Sequence, residues 1–395
     1  MKAILSIACA FSVLAAESDL RAEDPTAPDS EGSSRPRWYD AVKLEAFVDA
    51  YFSFNANLPK PQTGTNHYRA YDTTNGFAIH WAGLNAQVAP EPVGGVVGLR
   101  FGPGAVAYNG SDSAFGLLYV KQAFASWKPL GKGSKVTLDL GKYDQPFGSE
   151  VADSQYDVNY TRSALYWLAQ PLFFTGLRAD LAISEAVDLK LVAANGWNNA
   201  VDNDQGKTFG GQLNVKPIDT LVVSLGYVAG PEQADFVPGA AATATEPATP
   251  PASVPGANAH LRHLVDLIAD WSVTAEMRAL LNADFGHESF GATSASWYGA
   301  NLALRWAPAS IFSLGMRGEY YVDADGFTTG NGQKTALAGG TITLGVTPTP
   351  NLVVKLDQRV DFASLADGSA VFPRGASQFA TTQVTTTLGV VATTN

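Results

Sequence analysis

The sequence predicts an all-β fold, a transmembrane antiparallel up-and-down β-barrel of about 16 strands with short periplasmic turns and long extracellular loops. Three observations support this prediction. Apolar and polar residues alternate with period two in many segments of about 10 to 15 residues. No run of about 18 apolar residues, the length of a helical membrane span, occurs in the chain. Short and long connections alternate between the segments.

Composition narrows the classes of function. The chain has 395 residues, with 26 Lys and Arg against 37 Asp and Glu, for a net charge of −11. An acidic balance argues against nucleic acid as a partner. The single cysteine, Cys9, leaves the rest of the chain without a thiolate nucleophile, a disulfide or a cysteine-based metal site. We therefore expect no cofactor.

The first residues predict a secretory signal peptide over residues 1–16. Lys2 precedes an apolar stretch that ends in small residues, the usual features of such a signal. A lipid anchor on Cys9 is the alternative, but Ser6 stands where such anchors place Leu. Residues 17–42 are rich in Glu, Asp, Pro and Ser, which predicts a flexible periplasmic leader.

The remaining residues, 43–395, are predicted to form the barrel. In the segment KLEAFVDAYFSF, which starts at Lys43, one face is apolar and the other is polar, as in a strand between lipid and water. The same alternation marks sixteen candidate strands, which start near Lys43, Asn75, Gly94, Leu117, Lys135, Phe173, Val187, Lys207, Thr220, Ala259, Ala275, Ala295, Ile311, Ala336, Asn351 and Ser377.

The connections between these segments support a closed barrel. Every second connection is short, and five of the seven short ones contain Pro. The others are long and polar, notably 58–74, 146–172, 231–258 and 364–376. A soluble sandwich or propeller also alternates in short strands. Tyr and Trp cluster at segment ends, however, and this favours headgroup-level girdles of a membrane barrel.

Four strings carry a resemblance to a known family: LEAFVDAYFSFN at 44–55, DLGKYDQPFGSE at 139–150, NYTRSALYWLAQPLFFTGLR at 159–178 and AANGWNN at 193–199. On these strings the chain resembles the OmpL-like putative beta-barrel porins. The resemblance implies a pore in the bacterial outer membrane but indicates no substrate. We expect lipid and lipopolysaccharide to surround it. It leaves assembly into a homotrimer open.

The long connection 146–172 is predicted to fold into the lumen and narrow it. A barrel of sixteen strands is wide enough to leave an aqueous lumen. We expect a short helix over 161–169. We also expect four charged side chains to face solute at the constriction: Glu150, Asp153, Asp157 and Arg162. The alternatives are that the connection packs outward against a neighbouring barrel or caps the rim. Large side chains favour burial, and the connection carries Phe147, Tyr156, Tyr160, Leu165, Tyr166, Trp167, Leu168, Pro171 and Leu172.

Charged residues on the polar faces are predicted to line the pore wall, where rings of charge select ions. An equally open alternative is that these charges pair with one another and keep the lumen wet. The net charge does not decide selectivity, because many acidic residues lie in the leader and loops. The predicted wall residues are Arg100, Arg178, Asp180, Asp188 and Lys190.

Catalysis and metal binding are not expected. His287 and Ser289, placed in the sixth long connection, form a His-x-Ser pair similar to that of outer-membrane phospholipases, but no orienting polar run follows them. Asp202-x-Asp204-x-Gly206 has the spacing of half a calcium loop, without the later Glu.

His260 and His263 would fall on opposite faces of a strand, which argues against a shared metal ion. The predicted function is passive diffusion of small hydrophilic solutes or ions. The alternative is a plugged barrel with a structural or receptor role.

Overall fold

The computed structural model describes residues 38–60, 66–237, 252–254 and 256–394. The predicted signal peptide and residues 17–37 of the predicted leader lie outside the described residues. Sixteen antiparallel strands form one closed barrel, in which each strand pairs with its neighbours in the chain and the last pairs with the first. The predicted fold class is confirmed.

Each strand begins within five residues of its predicted start. The strands are β1 Val42–Asn55, β2 Gly76–Val88, β3 Val93–Phe101, β4 Val120–Trp127, β5 Val136–Asp144, β6 Phe173–Ala182, β7 Val187–Ala194, β8 Thr208–Ile218, β9 Leu221–Pro231, β10 Leu261–Ser272, β11 Met277–Phe290, β12 Thr293–Trp306, β13 Phe312–Asp323, β14 Thr335–Thr349, β15 Leu352–Leu365 and β16 Thr382–Thr393.

The alternation decides which face of each strand points inward. On β1, Val48 and Phe52 are exposed on the outer surface, whereas Asp49 and Ser53 are fully buried inside the barrel. The apolar outer faces suit lipid. The strand pairing between β1 and β16 runs from Phe47 opposite Thr393 to Asn55 opposite Thr385, and this closure leaves the sheet without an open edge.

Helices are few and short. The α-helices are α1, Pro103–Asn109, and α2, Ala164–Leu168. No helix in the described stretches is long and apolar enough to cross a membrane. Short 3₁₀ helices occur at Trp38–Ala41, Gly110–Phe115, Gly131–Gly133 and Ala257–Ala259. Two small two-stranded sheets pair Phe236–Val237 with Ala252–Ser253 and Phe372–Arg374 with Gln378–Ala380.

One predicted connection is wrong. The sixth long connection, which was expected to hold His287 and Ser289, is a tight turn between β11 and β12, and both residues belong to β11. The two strands pair up to Phe290 opposite Thr293. The alternation of inward and outward residues continues through this stretch, and Glu288 is buried inside the barrel. The polar residues at the end of β11 are therefore part of the strand and not of a loop.

Candidate functional site

The segment 146–172 lies inside the barrel. It connects β5 with β6, and its side chains contact the inward faces of strands around the wall. The Tyr160 hydroxyl donates a hydrogen bond of 2.7 Å to Asp49 on β1, and the Trp297 ring nitrogen on β12 donates one of 3.1 Å to the Ala169 carbonyl. Because these partners lie on inward faces of distant strands, the segment crosses the lumen.

An apolar cluster packs the segment against wall residues of strands from β3 to β15. Phe147 and Leu165 of the segment are buried in it. Its ring contacts include a perpendicular one between Phe147 and Phe174, with centroids 6.2 Å apart. The large side chains of the segment thus fill part of the lumen. The wall contributes Val96, Phe124, Tyr143, Phe174, Val192, Val228, Leu264 and Trp297.

A buried carboxylate on β15 also holds the segment. Asp357 accepts two hydrogen bonds from Thr161, one from the backbone nitrogen (2.8 Å) and one from the side-chain hydroxyl (2.9 Å). It accepts a third from the backbone nitrogen of Tyr160 (3.3 Å). It also accepts one of 2.6 Å from Thr343 on β14. Burying a charge is costly unless hydrogen bonds stabilise it, and these four donors serve that purpose.

Helix α2 begins between these two anchors, within the stretch 161–169 where a helix was predicted. Ser163 caps it, because its hydroxyl accepts a 3.1 Å hydrogen bond from the Tyr166 backbone nitrogen. The same hydroxyl accepts a 3.1 Å bond from Asn301 on β12. The free backbone nitrogen of Ala164 donates to Glu319 on β13 at 2.6 Å, so the wall fixes the start of the helix.

The acidic residues of the predicted constriction are paired with basic side chains. Glu150 lies 2.8 Å from Arg317 on β13, and Asp157 lies 3.1 Å from Arg162. Asp153 lies between two wall cations and is described below. Side chains at these positions are mostly buried, with Arg162 and Asp157 only 2% and 3% exposed.

The expectation that Glu150, Asp153, Asp157 and Arg162 face solute therefore does not match this structure. The segment touches the wall on several sides, so each charge has an opposite charge within reach and turns toward it. Arg162 also donates to the Tyr160 carbonyl at 2.7 Å and to the Val151 carbonyl at 3.0 Å. Its guanidinium therefore links separate residues of the segment to one another.

Asp153 joins the segment to β3 and β4. It receives two hydrogen bonds from Arg100, of 3.1 and 3.0 Å, and lies 3.3 Å from the ammonium of Lys121. Burial alone would raise the pKa of Asp153, but the charges of Arg100 and Lys121 outweigh burial and hold that pKa well below its usual range. Asp153 is therefore ionised in the folded protein at neutral pH.

The predicted wall residues fall into two groups. Arg100 is 1% exposed and contacts the segment through Asp153. The other four lie on β6 and β7 near their periplasmic turn and retain partial exposure.

These four contact other wall residues. Arg178 lies 2.6 Å from Asp139, Lys190 lies 2.6 Å from Asp180, and Asp188 accepts a 2.7 Å hydrogen bond from Asn214. Of the two alternatives weighed from the sequence, paired charges describe them better.

Sequence reasoning missed the wall residues that hold the segment. Lys355 on β15 donates to the Ser154 carbonyl at 2.7 Å, and Arg359 on β15 donates to the Arg162 carbonyl. The signal was present, since Lys355, Asp357 and Arg359 alternate on one polar face. Choosing wall residues by proximity in sequence overlooked them, because barrel closure brings the late strands to the same lumen.

The motifs considered for catalysis and metal binding have ordinary partners. The His287 ring contacts the Ser296 hydroxyl at 2.9 Å on the neighbouring strand, and the His263 ring contacts the Tyr227 hydroxyl at 2.8 Å. Asp204 accepts a 2.7 Å bond from the Gly206 backbone nitrogen, as in an Asx turn. The described part of the chain holds no group of three or more His, Cys, Asp or Glu side chains suited to a metal ion.

Comparison with protein families identifies one match. The family described as "Putative beta-barrel porin-2, OmpL-like" matches residues 41–393. No curated protein matches the chain significantly.

Solved structures of outer-membrane proteins share the fold. OmpT of Vibrio cholerae aligns with a TM-score of 0.57 at 9% identity, covering 89% of this chain and 97% of that one. The outer membrane channel DcaP of Acinetobacter baumannii gives 0.54 at 11% identity, covering 89% and 96%. The anion-selective porin from Comamonas acidovorans gives 0.53 at 11% identity, covering 89% and 99%. At such identities the likeness concerns the fold alone.

Proposed function

This chain belongs to the OmpL-like beta-barrel porin family of the bacterial outer membrane, and on that premise we propose that it lets small hydrophilic solutes or ions diffuse passively, through a lumen narrowed by the segment 146–172. The observation that carries the proposal is the segment itself. It crosses a sixteen-strand barrel whose inward faces are polar on most strands and is held there by hydrogen bonds to strands as far apart as β1, β12 and β15.

The burial of the inner wall argues for a narrow path. Inward-facing side chains in the central part of the described strands are almost completely buried, as Asp49, Arg317 and Thr387 illustrate. Partial exposure returns toward the strand ends, for example at Asp180 and Lys190 near the periplasmic turns and at Asp144 at the other end of β5. We therefore expect a small conductance and small permeants.

The same burial favours a second candidate function, a plugged barrel with a structural or receptor role. Single-channel recording of the refolded mature chain in a planar bilayer separates the two. The test variant lacks residues 148–169. The matched control lacks residues 366–369, an exposed stretch of the connection between β15 and β16.

A narrowed channel gives small, stable conductance steps for the wild type and the control, and larger steps for the variant without 148–169. Silence from a folded wild type, with steps only after the deletion, would support the plugged barrel. Silence from all three folded proteins would overturn the channel proposal. For each protein that conducts, the reversal potential under a salt gradient would give the ion selectivity.

The proposal also covers export and assembly. We infer that residues 1–16 are removed on export and that residues 17–42 then precede the barrel as a leader. The outer faces would contact lipid and lipopolysaccharide, and a homotrimer fits the family. N-terminal sequencing of the outer-membrane form and native mass spectrometry test these points. Retention of residues 1–16, or a monomer alone, would contradict them.

A further inference from the structure

A polar side chain lies in the middle of the outer face of the barrel. Gln358 is the seventh of the 14 residues of β15. Its neighbours Asp357 and Arg359 are buried inside the barrel, so Gln358 points outward, where it is exposed. The next outward residues on the same strand are Leu356 and Val360. Gln358 therefore lies at the depth where the outer face contacts the hydrocarbon of the membrane.

This position is unusual for the outer face. Outside the four residues at each strand end, the outward-facing residues of the described strands are apolar, aromatic or glycine, with two exceptions, Gln358 and Thr386. Thr386 lies directly opposite Gln358 on β16. Outward polar residues such as His263 and His287 belong to the extracellular ends of their strands. Gln358 and Thr386 therefore form a polar patch within an otherwise apolar band.

The hydrogen bonding of this patch leaves the Gln358 amide nitrogen without a partner. The Thr386 hydroxyl donates to Gln358 Oε1 at 2.7 Å. No acceptor among the described residues bonds to Gln358 Nε2, which carries two N–H donors. The residues on either side of the patch, Ile342 on β14 and Phe54 on β1, are exposed and apolar. Lipid chains offer no acceptor, so an isolated barrel leaves both N–H groups unsatisfied in the membrane.

We propose that the outer face around Gln358 contacts a second copy of this chain, and that the Gln358 amide of each copy donates to the Gln358 Oε1 of the next. An amide oxygen has two lone pairs, so Oε1 can accept from a neighbouring copy while it accepts from Thr386. Within membranes, polar side chains form hydrogen bonds across interfaces between protein segments. The contact supplies the partner that the barrel itself lacks.

A second copy matches this face in depth and in chemistry. Copies of one chain insert in the same orientation, so their Gln358 side chains lie at the same depth in the membrane. Symmetric assembly brings identical residues together at its axis. An amide is both donor and acceptor, and one residue type therefore completes the contact. The bonds are reciprocal in a pair of copies and run in one direction around a ring of three.

The first experiment is disulfide cross-linking of the purified protein in lipid vesicles. Cys9 is the only cysteine of the chain and lies in the predicted signal peptide, so the mature chain carries none. Gln358→Cys, refolded and oxidised with copper and air, should give a dimer that dithiothreitol returns to monomer. Leu225→Cys is the matched control, exposed near the middle of β9, and should remain monomeric on the same non-reducing gel.

The second experiment separates association from the stability of one barrel. Gln358→Leu should shift the oligomer toward monomer in native mass spectrometry, because it removes the amide and leaves an apolar surface. Leu225→Met, a change of similar size on a distant strand, should leave the distribution as in the wild type. Urea unfolding of the monomer in detergent should show no loss for Gln358→Leu. A less stable monomer with an unchanged oligomer would limit Gln358 to pairing with Thr386 and overturn the proposal.

The inference rests on the homo-oligomer proposed above and names its contact surface, and the results separate the two. An oligomeric Gln358→Cys protein that does not cross-link would overturn the contact at Gln358, assign lipid to this face and leave the assembly standing. A cross-link to a different protein in native outer membranes would also overturn it. A wild type that is monomeric alone would contradict both. Neither experiment needs conductance, so the outcome is independent of whether the barrel is an open channel.

Discussion

The Tyr160 hydroxyl is hydrogen-bonded to Asp49 at 2.7 Å, although 111 residues separate the two in the chain. Asp49 lies on β1, which pairs with β16 where the barrel closes. The Tyr160 ring packs on β16 at Gly389, where a Cβ would approach the ring to 2.0 Å. The segment inside the lumen is therefore fitted to the seam that joins the first and last strands.

Gly389→Ala is expected to displace the Tyr160 ring. The added methyl group overlaps the ring, and overpacking of this kind costs about 1 to 3 kcal/mol of stability. Urea unfolding of the refolded protein in detergent measures the loss. Gly340→Ala is the control, because its Cβ would have no neighbour closer than 4.0 Å.

Tyr160→Ala should remove the overlap, so the double variant should lose no more stability than Tyr160→Ala alone. Additive losses would show that Gly389 does not accommodate the ring.

Asp357→Ala is expected to release the middle of the segment. The change leaves the backbone nitrogens of Tyr160 and Thr161 without their acceptor, and each buried donor left in this state costs about 1 to 3 kcal/mol. Conductance should rise as the segment loosens. Asp367→Ala, at an exposed loop acid, should leave both stability and conductance as in the wild type. Equal behaviour of the two variants would exclude Asp357 as an anchor.

Acidic pH is expected to loosen the segment through Asp153. Its pKa in the folded protein is below the ordinary value of 3.8, because Arg100 and Lys121 favour the ionised form. The stabilisation is therefore complete above that value and is lost as pH falls below it. Conductance should therefore begin to rise only as pH falls below about 4, and it should continue to rise toward the lowered pKa of Asp153.

In Asp153→Asn this pH dependence should be weaker, with the segment less firmly held at every pH. Glu185→Gln, in the exposed turn before β7, should keep the wild-type dependence. An unchanged pH profile in Asp153→Asn would assign the acid response to another group.

A lysine on the outer face should destabilise the barrel according to its depth. Leu225 is exposed near the middle of β9, and Leu225→Lys is expected to cost about 2 to 4 kcal/mol in lipid. Ile218, exposed at the periplasmic end of β8, should tolerate the same change at a cost of about 0 to 1 kcal/mol. Unfolding from lipid vesicles measures both, and equal costs would contradict the assignment of Leu225 to the lipid face.

The strands were predictable because alternation is a local property of the sequence. Lipid and lumen impose opposite polarity on successive residues of a strand. The alternation continues to the end of β11, through His287 and Glu288, although the polarity of that stretch suggested a connection. Polarity alone therefore misplaced the turn at Gly291. The position of the turn is set by the pairing register of β11 with β12, which extends to Phe290. Register depends on both strands, so it cannot be read from the polarity of one strand.

The partners of the segment were not predictable in the same way. Its charges were recognised, but the contact between Thr161 and Asp357 spans 196 residues. Which charge meets which depends on barrel closure and on the path of the segment. For this reason Glu150 and Asp153 were expected to face solute, whereas both meet arginines of the wall.

The anchors of the segment also constrain the order of folding. Thr161 and Asn159 bond to Asp357 and Thr343, on strands that follow much later in the chain. Contacts of such separation cannot form until those strands are in place. The docking of the segment onto β14 and β15 therefore cannot precede the arrival of these two strands.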